Sequence, residues 1–330
     1  MRGKDQSRLS KDLPEIRKQL SSLSRDSGKP KPQEPRTPEA GAQPSTPGPE
    51  ATDQKPTESA PAPSGALGRL RRRVLSTPRD AGSVAPSSAE QPVRLEDALP
   101  GLTESTVDGR CAYHIHRTVR QACPEVASTE TDFAHLVRQT RLERFLGSKT
   151  PEVLSPEQIL FLDLETTGLD VTPLFLIGTM AWEGDGLVVR QFFARDYDEE
   201  PAVLSLFLER YEKQPVLVTF NGRSYDLPYV RMRARATKVP FHFSPAHLDL
   251  LIEARKVWRG VLPDCRLQTL ERLVLGRDRK DDIPGSAIPR AYHDFVQSGD
   301  ARQMVSVLEH NLLDLVTMAQ LLVHLSRRRD

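Results

Sequence analysis

The run FLDLETTGLD, Phe161 to Asp170, ends a strongly apolar stretch with two carboxylates, Asp163 and Glu165, one residue apart. Alternate residues of a strand share a face, so both carboxylates point the same way from the end of a buried strand. Two anions held side by side repel each other, and a hard divalent cation between them makes the arrangement tolerable. The pattern calls for a buried strand that ends at a metal site.

Two further acidic positions extend that reading. An apolar strand, Val216 to Phe220, runs into Asn221-Gly222 and then into Asp226 near the start of a helix. Taken alone, Asp226 also suits a helix cap. The segment LEHNLLDLVTMAQLL carries Asp314 on a helical pattern whose apolar stripe is Leu308, Leu312, Leu315, Met318 and Leu322. His310 lies four residues before Asp314, one turn away on the same face.

A strand ending Asp-x-Glu-Thr-Thr-Gly-Leu, an Asn-Gly-x-Ser-Tyr-Asp block and a late helix with His-Asn-x-x-Asp resemble the DEDD exonucleases of the ribonuclease H-like superfamily. More narrowly they are similar to the predicted exonucleases of the YprB type, which Cys265 to Phe295 and Glu309 to Asp314 also fit. The resemblance covers Pro156 to the C-terminus. It implies an α/β fold, a ribonuclease H-like mixed sheet of about five strands, one antiparallel, flanked by helices. It further implies that Asp163, Glu165, Asp226 and Asp314 hold two divalent cations, Mg2+ or Mn2+, which suit an all-oxygen site. The implied reaction is removal of nucleotides from the 3′ end of single-stranded DNA or RNA. By the same resemblance, Thr166, Thr167, Gly168 and Leu169 cradle the terminal nucleotide.

His310 has the residue of the His class of these enzymes at the spacing of the Tyr class. Two roles stay open for it: orienting or deprotonating the attacking water, or positioning a carboxylate while the metal activates the water. Asn221 likewise either bonds substrate or metal-bound water, or forms a turn with Gly222. Arg255 and Lys256 beside Trp258 suit tracking of a single strand with base stacking. Asp249, just before them, is either a strand-end cap or a fifth acid near the metals. The other basic cluster, Arg231, Arg233, Arg235 and Lys238, spreads around its helix.

With 330 residues the chain has room for one full domain plus extras, and a net charge of +1 confines any nucleic-acid contact to a local surface. No run approaches the length of a membrane span, and three cysteines fit a reducing compartment, so the expected location is cytoplasmic. The competing class is a non-catalytic nucleic-acid-binding or scaffold protein that keeps the fold, or a structure-specific endonuclease using the same metals. Four buried carboxylates without metal would only cost stability, which favours catalysis.

Along the chain, residues 1–26 read as a short amphipathic helix. Its stripe of Leu9, Leu13, Ile16, Leu20 and Leu23 (residues 9–23) is either a docking site for a protein partner or a frayed end. Residues 27–91 read as a disordered Pro/Ser/Ala-rich linker, interrupted by the cluster Arg69 to Arg73, which is either a solvated charge run or a contact for phosphate backbone. Residues 92–155 form an accessory segment packing on the exonuclease domain, 156–330. Within the accessory segment a short helix and turn (Leu95–Leu102), a strand (Cys111–Val119) and an amphipathic helix (Asp132–Leu146) are expected. Cys111, His114, His116 and Cys123 lie close in sequence, but their spacing is not that of a common zinc module, so structural roles are expected. Downstream, strands are expected at Gln158–Leu164, Leu176–Trp182, Leu187–Phe193, Val216–Phe220 and about His247–Leu250. Helices are expected at Glu199–Lys213, Tyr225–Thr237, Leu251–Trp258, Arg266–Leu275, Ile288–Gln297 and Asp300–Arg327.

Overall fold

The computed structural model describes residues 91–328, apart from 108, 140–141, 147–153 and 169–171. The expected helix of residues 1–26 with its partner site at 9–23, nearly all of the 27–91 linker and Leu169 lie outside the described residues. Seven strands form one sheet: β1 (Thr103–Val107), β2 (Arg110–Thr118), β3 (Ile159–Thr166), β4 (Leu174–Glu183), β5 (Gly186–Phe193), β6 (Val216–Thr219) and β7 (Ala246–Asp249). Their order is β1-β2-β5-β4-β3-β6-β7. The helices are α1 (Leu95–Ala98), α2 (Val119–Ala122), α3 (Ser128–Gln139), α4 (Glu143–Leu146), α5 (Glu200–Tyr211), α6 (Asp226–Thr237), α7 (Leu250–Trp258), α8 (Leu267–Val274), α9 (Ile288–Ser298) and α10 (Arg302–Arg327).

The strand count corrects the expectation of about five. The five strands of the C-terminal part are all present, with β4 the one running against the rest. The accessory segment adds β1 and β2 to the same sheet, β2 pairing antiparallel with β5. β1 escaped the sequence because TESTV is an exposed edge strand on which no buried face imposes an alternating pattern.

Strand alternation divides the core in two. Ile159, Phe161, Met180, Val189, Val216 and Val218 face one side, packed under α3, α7, α8 and the C-terminal two-thirds of α10. Leu160, Leu162, Leu164, Ala181, Phe192 and Leu217 face the other, packed under α5, α6, α9 and the start of α10. β3 is central: β4 runs antiparallel on one flank and β6 parallel on the other. The C-terminal ends of β3, β6 and β7 therefore open together where the strand direction changes, the place where α/β sheets bind ligands. A register shift between Glu165 and Thr166 bends the end of β3 there.

Candidate metal centre

Asp163 and Glu165 project from the C-terminal end of β3, both partly exposed between buried neighbours. Asp226 is 5% exposed at the first position of α6, and Asp314 stands on α10. The four carboxylates feel one another. Burial pushes Asp163 well above the ordinary carboxylate range, with Asp314, Glu165 and Asp226 adding repulsion. Burial likewise raises Glu165 well above that range, with Asp314, Asp226 and Asp282 adding to it. Asp226 is raised to about 7, by burial first and then by Asp249 and Asp314.

Several of these oxygens already have protein partners. Asn311 Nδ2 donates to Asp163 Oδ2 at 2.8 Å, while Asn311 Oδ1 accepts from Gln191 Nε2 at 2.9 Å. Gln191 Oε1 in turn accepts from Arg117 at 3.2 Å. Asn311 and Gln191 are completely buried, so this relay from β2 across β5 to α10 fixes Asp163 from behind. On the opposite side, Arg279 donates to Asp314 Oδ1 at 2.5 Å, Asp282 Oδ2 at 3.1 Å and the buried Glu271 at 2.7 Å. Among the described residues, no three Asp, Glu, His or Cys side chains stand placed to hold an ion as they are. The donor set nevertheless has the chemistry a hard divalent cation requires: all oxygen, anionic and mutually repelling.

Of the expected nucleotide cradle, Thr166 Oγ1 donates to Gly168 O at 2.7 Å and lies 3.0 Å from Tyr225 OH. Thr167 Oγ1 donates to Pro173 O at 3.1 Å. Asn221 takes the left-handed conformation, φ 70°, in a turn where a Cβ on Gly222 would fall 2.4 Å from Thr219 Oγ1. Asn221 is exposed to solvent. Asp249 serves as a cap, its carboxylate accepting from the backbone N–H groups of Asn221, Arg223 and Leu251 at 2.9, 3.1 and 3.0 Å, and its charge also helps to raise the neighbouring Asp226.

The basic-aromatic expectation divides. Arg255 and Lys256 are exposed on α7, Lys256 paired with Glu253 at 2.6 Å. Trp258 is 1% exposed and belongs to the core, so its ring has no face for a base. With Leu251 and Ala254 it occupies the i, i+3, i+7 stripe of α7, and that periodicity outweighs the charged neighbours. Cys111 lies 3.7 Å from Thr106 Oγ1, His114 bonds Ser105 at 3.2 Å, and Cys123 is buried.

The family model described as RNase_H superfamily matches residues 160–326, half of the chain, and spans every one of the four acids. The chain belongs to the RNase_H superfamily. Within it, the chain is 32% identical over 201 residues to the protein YprB of Bacillus subtilis, a match covering 58% of this chain and 47% of that one. The chain thus spans about half the length of that relative. A shorter match, 38% identical over 52 residues, joins 16% of this chain to 5% of a DNA polymerase 1 of Aeropyrum pernix. Among solved structures, a family B DNA polymerase from Pyrobaculum calidifontis aligns at 18% identity and TM-score 0.41 over 51% of this chain and 24% of that one. No helix among the described residues is long and apolar enough to cross a membrane.

Three residues around these acids had no role assigned from the sequence. Asn311 carried a signal: a polar residue three after Leu308 and four before Leu315 sits on the apolar stripe of α10. Arg279 and Asp282 lie in the Cys265–Phe295 stretch that fits the YprB-type resemblance, but the run of alternating charges there singles out neither residue.

Proposed function

We propose that this protein is a metal-dependent 3′-to-5′ exonuclease acting on single-stranded DNA or RNA. The observation that carries the reading is the convergence of Asp163, Glu165, Asp226 and Asp314, from one strand and two helices, in an RNase_H superfamily chain. The local likeness to a DNA polymerase supports nucleic acid as the substrate class. Bound by those four acids, two divalent cations, Mg2+ or Mn2+, would supply Lewis-acid stabilisation of the attacking and leaving oxygens.

The remaining work falls to the chain's own residues. Water oxygen bonds to phosphorus, the P–O3′ bond breaks with its electron pair on O3′, the water's proton passes to a base, and O3′ takes a proton from solvent to leave as the 3′-hydroxyl. His310 is the base, its Nε2 3.7 Å from Asp314 Oδ2. Asn311 holds Asp163 in place, and Thr166, Thr167, Gly168, Leu169 and Asn221 receive the terminal nucleotide. Arg255 and Lys256 offer exposed positive charge on α7 for the strand's phosphates. The pairing of Arg279 with Asp314 would equally suit a descendant that binds nucleic acid without cutting it.

The test incubates the protein with 5′-labelled single-stranded DNA and RNA in Mg2+, Mn2+ or a chelator, beside Asp163→Ala and Asp314→Ala. A metal-dependent ladder shortening from the 3′ end, absent in both variants, is expected. Intact substrate in every lane, with retention of the strand on a gel, would replace the exonuclease with the binding protein.

A further inference from the structure

Asp282 lies on the charged stretch between α8 and α9, apart from the four clustered acids in sequence, and its carboxylate meets His310 Nδ1 at 2.9 Å. Both side chains are nearly buried, at 11% and 8% exposure. The other oxygen of Asp282 accepts from Arg279 Nη1 at 3.1 Å. A carboxylate held by a guanidinium accepts on both oxygens, so the hydrogen shared with the imidazole belongs to His310 Nδ1. In neutral imidazole that leaves Nε2 without a hydrogen, its lone pair on the side of Asp314 and the carboxylate cluster. Arg279 is itself pinned by Glu271, which is 1% exposed and also accepts from Arg277 at 2.6 Å. One guanidinium thus sets the distance between Asp282, behind the histidine, and Asp314, in front of it.

We infer that Asp282 is a positioning residue that fixes the tautomer and ring orientation of His310, so that Nε2 is the proton acceptor in the hydrolysis. This rests on the exonuclease reading for its chemistry, but the tautomer itself can be observed without substrate or metal. It decides between the two roles that the sequence left open for His310: an imidazole anchored at Nδ1 presents a base, whereas one that merely positions Asp314 would present Nε2–H to it.

The experiment records long-range 1H–15N spectra of the imidazole groups in the full-length, metal-free protein at pH 8.5, about two units above the ordinary histidine pKa. The His310 signals are assigned by their absence in His310→Gln. The wild type is expected to show the Nδ1–H tautomer and Asp282→Ala the Nε2–H tautomer, with Asp282→Glu restoring Nδ1–H. Wild-type Nε2–H, or Nδ1–H that survives in Asp282→Ala, would overturn the inference. Should Asp282→Ala not fold, Asp282→Asn keeps the volume, and the wild-type spectrum alone still decides. On single-stranded oligonucleotide, Asp282→Ala is expected to lower kcat roughly 10²-fold with KM unchanged, and to add nothing to the loss in His310→Ala. Additive losses would overturn the inference. A wild type that cuts nothing but shows Nδ1–H would refute the exonuclease while leaving the Asp282–His310 pairing intact.

Discussion

Asn311 is held in its working position by an absence on the neighbouring strand. Gly178 on β4 lies opposite Asp163 in the register, and a Cβ there would fall 1.9 Å from Asn311 Oδ1 and 2.6 Å from both its Cγ and Nδ2. All three obstructed atoms belong to the amide that carries the relay from Gln191 to Asp163. Gly178→Ala should therefore cost about 1–3 kcal/mol, the usual penalty of overpacking, and should displace the support of Asp163. The cost should shrink markedly in an Asn311→Ala background, where the amide is gone. Urea unfolding of the two single variants and the double variant measures this coupling, and equal penalties for Gly178→Ala in both backgrounds would refute the steric link.

At the scale of elements, the accessory stretch and the acid-bearing stretch belong to one sheet, and we propose that they form one folding unit. Ile115 and Val119 from the β2–α2 region and Phe133, Leu136, Val137 and Leu142 from around α3 are all buried in its two cores. Together they represent roughly 10 kcal/mol of burial, comparable to the whole stability of an ordinary domain. A fragment beginning at Gln91 should keep the cooperative melt of the full chain, whereas one beginning at Pro156 should be insoluble or unfolded by circular dichroism. A soluble, cooperatively melting fragment from Pro156 would show that β1, β2 and α3 are decoration. The central elements were legible because β3 and α10 are long and strongly patterned, and their buried faces dictate their residues. Residues outside such faces were legible only as composition. β1 is polar on both sides, and Asp282 reaches His310 across 28 positions of sequence, a separation that no local period can express. Trp258 shows the converse: its periodicity pointed to the core, and its charged neighbours drew attention away from it.

For the whole molecule, the acid cluster links folding to pH and to metal. Burial and the neighbouring acids push the Asp226 carboxyl up to about 7, from an ordinary value of 3.8, and raise Asp163 and Glu165 as well. A folded-state pKa above the unfolded one means that the native protein holds protons that the unfolded chain releases. The resulting stability is fully present below about pH 4 and is lost as pH rises through about 7. Divalent cations offer the same acids positive charge without a proton, so metal should compensate most where the proton has gone. In chelator, the Tm of the full chain should fall between pH 5 and pH 8. Adding Mg2+ or Mn2+ should raise it strongly at pH 8 and little at pH 5. Asp226→Asn should flatten the pH dependence in chelator, because its amide is neutral throughout, and should weaken the rescue by metal. Scanning calorimetry at the two pH values decides the matter. A Tm in chelator that climbs across this window would mean that the acids are stabilised as anions by Arg279 and Asn311 alone, and the cluster would then need no metal to fold.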